Sequence, residues 1–346
     1  MGLNEKFFKS ASDTPFINTD NFNTVLYPGN NTTSRNITGV GFNPDMVWVK
    51  NRDISGENHS IGDTVRGGGK IVYPNLTLGE NGFEYITPSG VADGFTITTN
   101  NNNILNNKYV AWCWKAGGAA VNGTGTNAQN ITYSANPDAG FSIVKFSTNG
   151  STSYTATHGL NQAPELVITK VTSVASNWLV YLSSLGINQY MYLNTSSQAL
   201  PFSNLWNGMS STHIGGSNAA YGGTNTFVNY CFHSVVGYQK VGSYTGGGTS
   251  DVTVHTDSNG DGTGTGAFQP RFIMTKRTDN TGNWIIFDSQ RSTSATDFDN
   301  FLYPNLPDAE VPNVDAITTT STGFIVTRDN AAPNFSGGTY IYLAIA

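Results

Sequence analysis

The sequence predicts an all-β protein: three tandem β-sandwich (jelly-roll-like) repeats of about 100 residues, behind a short N-terminal extension. Three observations carry that expectation. Charged residues make up 12% of the 346, about half the usual share near 25%, while aromatics also reach 12% and 39 glycines accompany abundant Asn, Thr and Ser. No segment sustains a helical period, and short apolar runs alternate with turn residues throughout. Finally, one strand design occurs three times, with a proline six residues before a lysine: Pro44 and Lys50, Pro164 and Lys170, Pro270 and Lys276.

Residues 1–21 have no counterpart elsewhere in the chain and hold Phe7, Phe8, Phe16 and Ile17, far more apolar surface than a free tail usually carries. They are expected to be an attachment segment. The stretch lacks an apolar run long enough for a signal peptide, and no stretch of the chain could span a bilayer, so synthesis in a cytoplasm is expected.

The first repeat is expected over 22–118, the second over 141–236 and the third over 237–346, with the glycine-rich stretch 119–140 as a linker. Each opens on a strand and turn (FNTVLYPGN, FSIVKFSTNG, VGSYTGGG) and continues with the Pro-to-Lys strand. A middle segment follows (HSIGDTVRG, NWLVYLSSLG, NWIIFDSQR), then a turn (YPNLTLGE, YLNTSSQA, YPNLPDAE). The closing strands alternate: Val110, Trp112 and Trp114 on one face, Tyr109, Ala111 and Cys113 on the other. Cys113, Cys231 and Ala344 share one slot, which predicts a small buried side chain and two free thiols rather than a disulfide.

The charged positions can be compared across the copies. Asp63, Arg66 and Glu80 match Asp288, Arg291 and Glu310, and in the second copy all three become apolar, as Leu182, Leu185 and Ala199. An arginine between two carboxylates can be exchanged as a group for apolar packing, whereas loss of one member strands a buried charge. The joint change predicts an internal structural clamp. An acid/base role for Asp63 and Glu80 would require two equivalent active sites in one chain. Lys50, Lys170 and Lys276 persist without the clamp and are expected to pack their stems at a strand end while the ammonium reaches water. Asn75, Asn194 and Asn305 are expected to bond their own turns.

The loop DSNGDGTGTGAF lacks the bidentate glutamate of a calcium loop, and the histidines lack metal-ligand spacing. No catalytic residue, metal or cofactor is expected. The net charge of −6 without a basic stripe argues against nucleic acid.

Taken together, GVGFNPDMVWVKNRD, DTVRG, YPNLTLGE and YVAWCWKAGG resemble a repeat domain of virion structural proteins from marine tailed phages, cyanophages included, often labelled tail-fibre-like. The resemblance implies a β-rich protein on the virion exterior whose partners are other virion proteins, and it supplies no catalytic residues. A short leader followed directly by sandwiches fits a capsid-decorating or other surface-attached protein, with homo-oligomerisation open. A tail-fibre or host-glycan-binding module is the alternative, and it would present aromatic platforms such as Trp206 and Tyr221.

Overall fold

The computed structural model describes residues 20–82, 86–98, 102–217, 223–327 and 332–346. Phe7, Phe8, Phe16, Ile17 and Tyr221 lie outside the described residues. The protein is all-β, and the only helical elements among the described residues are two single 3-10 turns. No helix there is long and apolar enough to cross a membrane.

Three large antiparallel sheets dominate. The N-terminal sheet has the hydrogen-bonded order Phe22–Pro28, Lys108–Trp114, Met46–Asn51, Ser60–Asp63, Ile71–Val72. The C-terminal sheet repeats it with Gln239–Thr245, Thr339–Ile345, Phe272–Arg277, Ile285–Asp288 and Phe301–Leu302. The middle sheet contains the same order in Phe141–Thr148, Thr226–Phe232, Leu166–Val171, Leu179–Leu182 and Gln189–Tyr192. Registers correspond as well: Trp48 lies opposite Trp112, Ile168 opposite Tyr230, and Met274 opposite Leu343.

The middle sheet is wider, and here the expectation of a linker over 119–140 needs correction. Ala128–Asn136 is a strand that pairs with Phe141–Thr148, and Val121–Asn122 pairs with it in turn. The turn between them is a 3-10 turn at Pro137–Ala139 that closes on Gly140 at φ 65°, a left-handed conformation that glycine adopts without strain. The glycines and asparagines of 117–127 concealed the short alternating run that follows them.

Each large sheet packs one face on a smaller outer sheet. In the N-terminal part Ile37, Ile86, Phe95 and Ile97 of the outer strands bury Val47, Val49, Ala111 and Cys113. In the middle part Tyr154, Ala156 and Ile214 cover Val144, Val167 and Cys231. The outer strands Gly94–Thr98 and Gly323–Val326 both begin on glycine for a steric reason. A Cβ there would lie 2.0 Å from the carbonyl oxygen of Ile37 or of Val254 on the paired strand.

The opposite faces of the large sheets are not solvated. Trp48, Trp112 and Trp114 share one core with Ile168, Tyr230 and Phe232 and with Met274, Leu343 and Ile345. Both faces of every closing strand are thus buried, which explains why these strands carry almost no charge.

Candidate functional site

The charged and polar residues singled out in the sequence gather where one large sheet meets the next. Three seams result, and their lysine and main-chain bonds correspond atom for atom.

Between the N-terminal and middle sheets, Lys170 Nζ donates to the carbonyl oxygen of Thr77 at 3.0 Å. Glu80 N–H donates to Thr172 O at 2.8 Å, and Ser176 N–H to Thr77 O at 2.7 Å. Between the middle and C-terminal sheets, Lys276 Nζ reaches Ser196 O at 3.4 Å, while Ala199 N–H and Gly282 N–H bond Thr278 O and Ser196 O. Between the C-terminal and N-terminal sheets, Lys50 Nζ reaches Pro307 O at 3.3 Å, while Glu310 N–H and Gly56 N–H bond Arg52 O and Pro307 O. The last sheet is thereby fastened to the first.

The lysine expectation is therefore corrected. Lys50 and Lys170 are 0% exposed and Lys276 1%, because the turn of the neighbouring sheet covers the strand end where water was expected. Burial pulls all three ammonium groups down to about 8. Each also donates within its own sheet, to Asn51 O, Ser176 O or Arg277 O, so the ammonium is held by carbonyl dipoles.

One further anchor belongs to each seam. Trp178 Nε1 donates to Tyr73 O at 3.0 Å and Trp284 Nε1 to Tyr192 O at 2.8 Å. At the third seam the position holds His59, whose Nε2 bonds Tyr303 O at 3.0 Å. Behind each anchor sits the recurring asparagine. Asn75, Asn194 and Asn305 accept the backbone N–H of His59, Trp178 and Trp284, and donate to Asn58, Asn177 and Asn283. These asparagines bond across to the preceding segment as well as holding a turn, so the sequence reading missed their partner. The signal was present as Asn-His, Asn-Trp and Asn-Trp at the start of each middle segment.

The structure brings Asp63, Arg66 and Glu80 together. Arg66 Nε bonds Asp63 Oδ2 at 2.5 Å, Nη1 lies 3.4 Å from Glu80, and Nη2 donates to Ile61 O at 3.0 Å. Asp288, Arg291 and Glu310 match, with distances of 2.6 Å and 2.9 Å to the two carboxylates. Burial works against the charge, but the paired carboxylates and the Tyr230 hydroxyl oxygen, which accepts from Nη2, hold the Arg66 guanidinium above its ordinary range. Glu310 additionally grips Arg52 across the seam at 2.6 Å, a pair the sequence did not reveal.

Trp206 does not form a platform. It is 2% exposed, its ring tilted against Tyr181 and its Nε1 donating to Gln189 O at 2.9 Å, because the segment 202–206 folds back onto residues 187–189 at the edge of the middle sheet. In the loop DSNGDGTGTGAF, Asp257 takes the backbone N–H groups of Gly260 and Gly264 on its own carboxylate. Among the described residues no group of three or more His, Cys, Asp or Glu could hold a metal ion.

A family model described as Domain of unknown function (DUF7483) matches residues 18–346. The chain belongs to this family. One DUF7483 match thus takes in all three large sheets and their seams, and starts four residues before the first strand at Phe22. No curated protein and no solved structure matches the chain.

Proposed function

We propose that the chain is three tandem β-sandwich units closed into a ring about one shared core, and that this ring is a non-enzymatic structural module on the exterior of a tailed-phage virion. The observation that carries the reading is the use of the recurring polar residues. The strand-end lysines, the seam anchors and the asparagines behind them tie one sheet to the next at each of three places. Such residues hold a rigid body together, as a particle component requires. The match of one family model to 18–346 supports treating the three units as one body.

Within this reading the module decorates a capsid or another virion surface, its partner is another virion protein, and residues 1–21 attach it. The test is deletion of 1–21. The truncated protein should still fold, with its thermal midpoint lowered only slightly by loss of Asn21, whose oxygens accept Lys115 N–H and Asn136 Nδ2, and should be lost from purified particles. Normal occupancy of particles by the truncated protein would reject the attachment role. Failure of the truncated protein to fold would assign the leader to the N-terminal sheet instead.

A further inference from the structure

The seams share their lysine and main-chain bonds but differ at the anchor. Where two of them hold the indole of Trp178 or Trp284, the third holds the imidazole of His59, 0% exposed. Trp48 donates its indole N–H to His59 Nδ1 at 3.0 Å, and an indole nitrogen can only donate. Nδ1 is therefore the acceptor, and the ring proton sits on Nε2, from which it is given to Tyr303 O. At the other seams Trp48 is replaced by Ile168 or Met274, which have no proton to place, so the Trp48–His59 pair stands as one unit.

We propose that His59 is an acid-sensitive latch, which opens the seam between the C-terminal and N-terminal sheets when Nδ1 takes up a proton and leaves the other two seams shut. A proton on Nδ1 would face the N–H of Trp48, removing the bond and opposing two donors inside a buried contact. Among the described residues, the charged groups that act most on the ring are cations. Lys50, on the strand Met46–Asn51, and Arg291, after the strand Ile285–Asp288, both disfavour the added charge. From the turn 303–310 only the carbonyl oxygens of Tyr303 and Leu306 favour it. The nearby carboxylates act on those cations: Glu57 and Asp308 on Lys50, Asp288 and Glu310 on Arg291.

Burial, with the two cations, holds the imidazole well below its ordinary 6.5. An opened seam returns His59 to water, where it takes a proton near 6.5. The open state therefore binds more protons, the seam is intact above about 6.5, and closure weakens as the pH falls below that value. A single proton raises the opening constant by up to about tenfold per pH unit.

Hydrogen exchange between pH 7 and 4.5, corrected for the intrinsic rate, tests this with an internal control. The segment 303–310 should lose protection in acid while its counterparts 73–80 and 192–199 keep theirs. His59→Gln, which can still donate to Tyr303 O but does not titrate, and the double change Trp48→Ile with His59→Trp, which copies the middle sheet's pair, should each remove the acid response of 303–310. Loss of protection in all three segments together would overturn the proposal, as would an acid response that survives in whichever variant folds. The wild-type comparison of the three segments decides even if neither variant folds.

Discussion

Trp112 donates its indole proton to Asp288 Oδ2 at 2.8 Å, across the seam between the first and last large sheets and 176 residues along the chain. Tyr230 does the same for Asp63, its hydroxyl donating at 2.8 Å from the middle sheet to the N-terminal one. The corresponding residue of the C-terminal sheet is Leu343, in one core with Leu182. The clamp thus has a fourth member, supplied by the neighbouring sheet, and it turns apolar where the other three do.

Arg66→Met should destabilise the protein by about 3–5 kcal/mol, because it leaves Asp63 buried without its cation. The triple change Asp63→Leu, Arg66→Leu and Glu80→Ala should recover part of this, and adding Tyr230→Leu should recover more by removing a hydroxyl left without an acceptor. Urea midpoints of the three proteins check the order. Equal midpoints for the triple and quadruple variants would remove Tyr230 from the unit.

Asn194→Ala should cost about 1–3 kcal/mol, since it leaves the buried backbone N–H of Trp178 unpaired. The same change at Asn75 or Asn305 should cost a similar amount, because the three networks match. A thermal series on the three single variants would show it. A loss confined to one position would mean that the networks are not equivalent.

Stability should rise with pH between about 8 and 10. The three seam lysines lose their protons near 8 when folded, against an ordinary value of 10.5, so the unfolded chain binds more protons in that interval. Above 10 the sign reverses, because burial raises Tyr27, Tyr230 and Tyr244 and favours ionisation of the unfolded chain. Lys170→Met should flatten the rise by about a third. Across the seam Thr77 O keeps the N–H of Ser176, while Ser176 O gives up its lysine donor. Urea unfolding at pH 7, 8, 9 and 10 measures the slope, and a flat wild-type profile would contradict it.

Both thiols should resist labelling in the native protein and react as two per chain after denaturation without reductant. Cys113 and Cys231 are free and 0% exposed, and burial pushes Cys231 up to about 12 and Cys113 higher still. Rapid labelling before unfolding would contradict this burial.

Comparison of the recurring segments made some features legible and left others hidden, for a physical reason. Positions that change together, such as Asp63, Arg66 and Glu80, share an environment, and the slot of Cys113, Cys231 and Ala344 faces the outer sheet where little space remains. A recurring residue does not say what lies opposite. Lys50, Lys170 and Lys276 sat at strand ends as read, but the carbonyls that bury them belong to another sheet more than 80 residues away for two of the three and 80 for the third. Trp206 was misjudged because an aromatic residue among Asn, Ser and Gly reads alike whether its loop stands free or folds back.

Three bodies joined end to end have two contacts; here the bonds of Lys50, Glu310 and Arg52 supply a third at no added length of chain. If one contact parts, the separated surfaces stay tethered through the other two, and reclosure is intramolecular at a high effective concentration. Opening at a single place therefore leaves the separated surfaces held by two contacts, where an open row would keep its end only by the covalent connection.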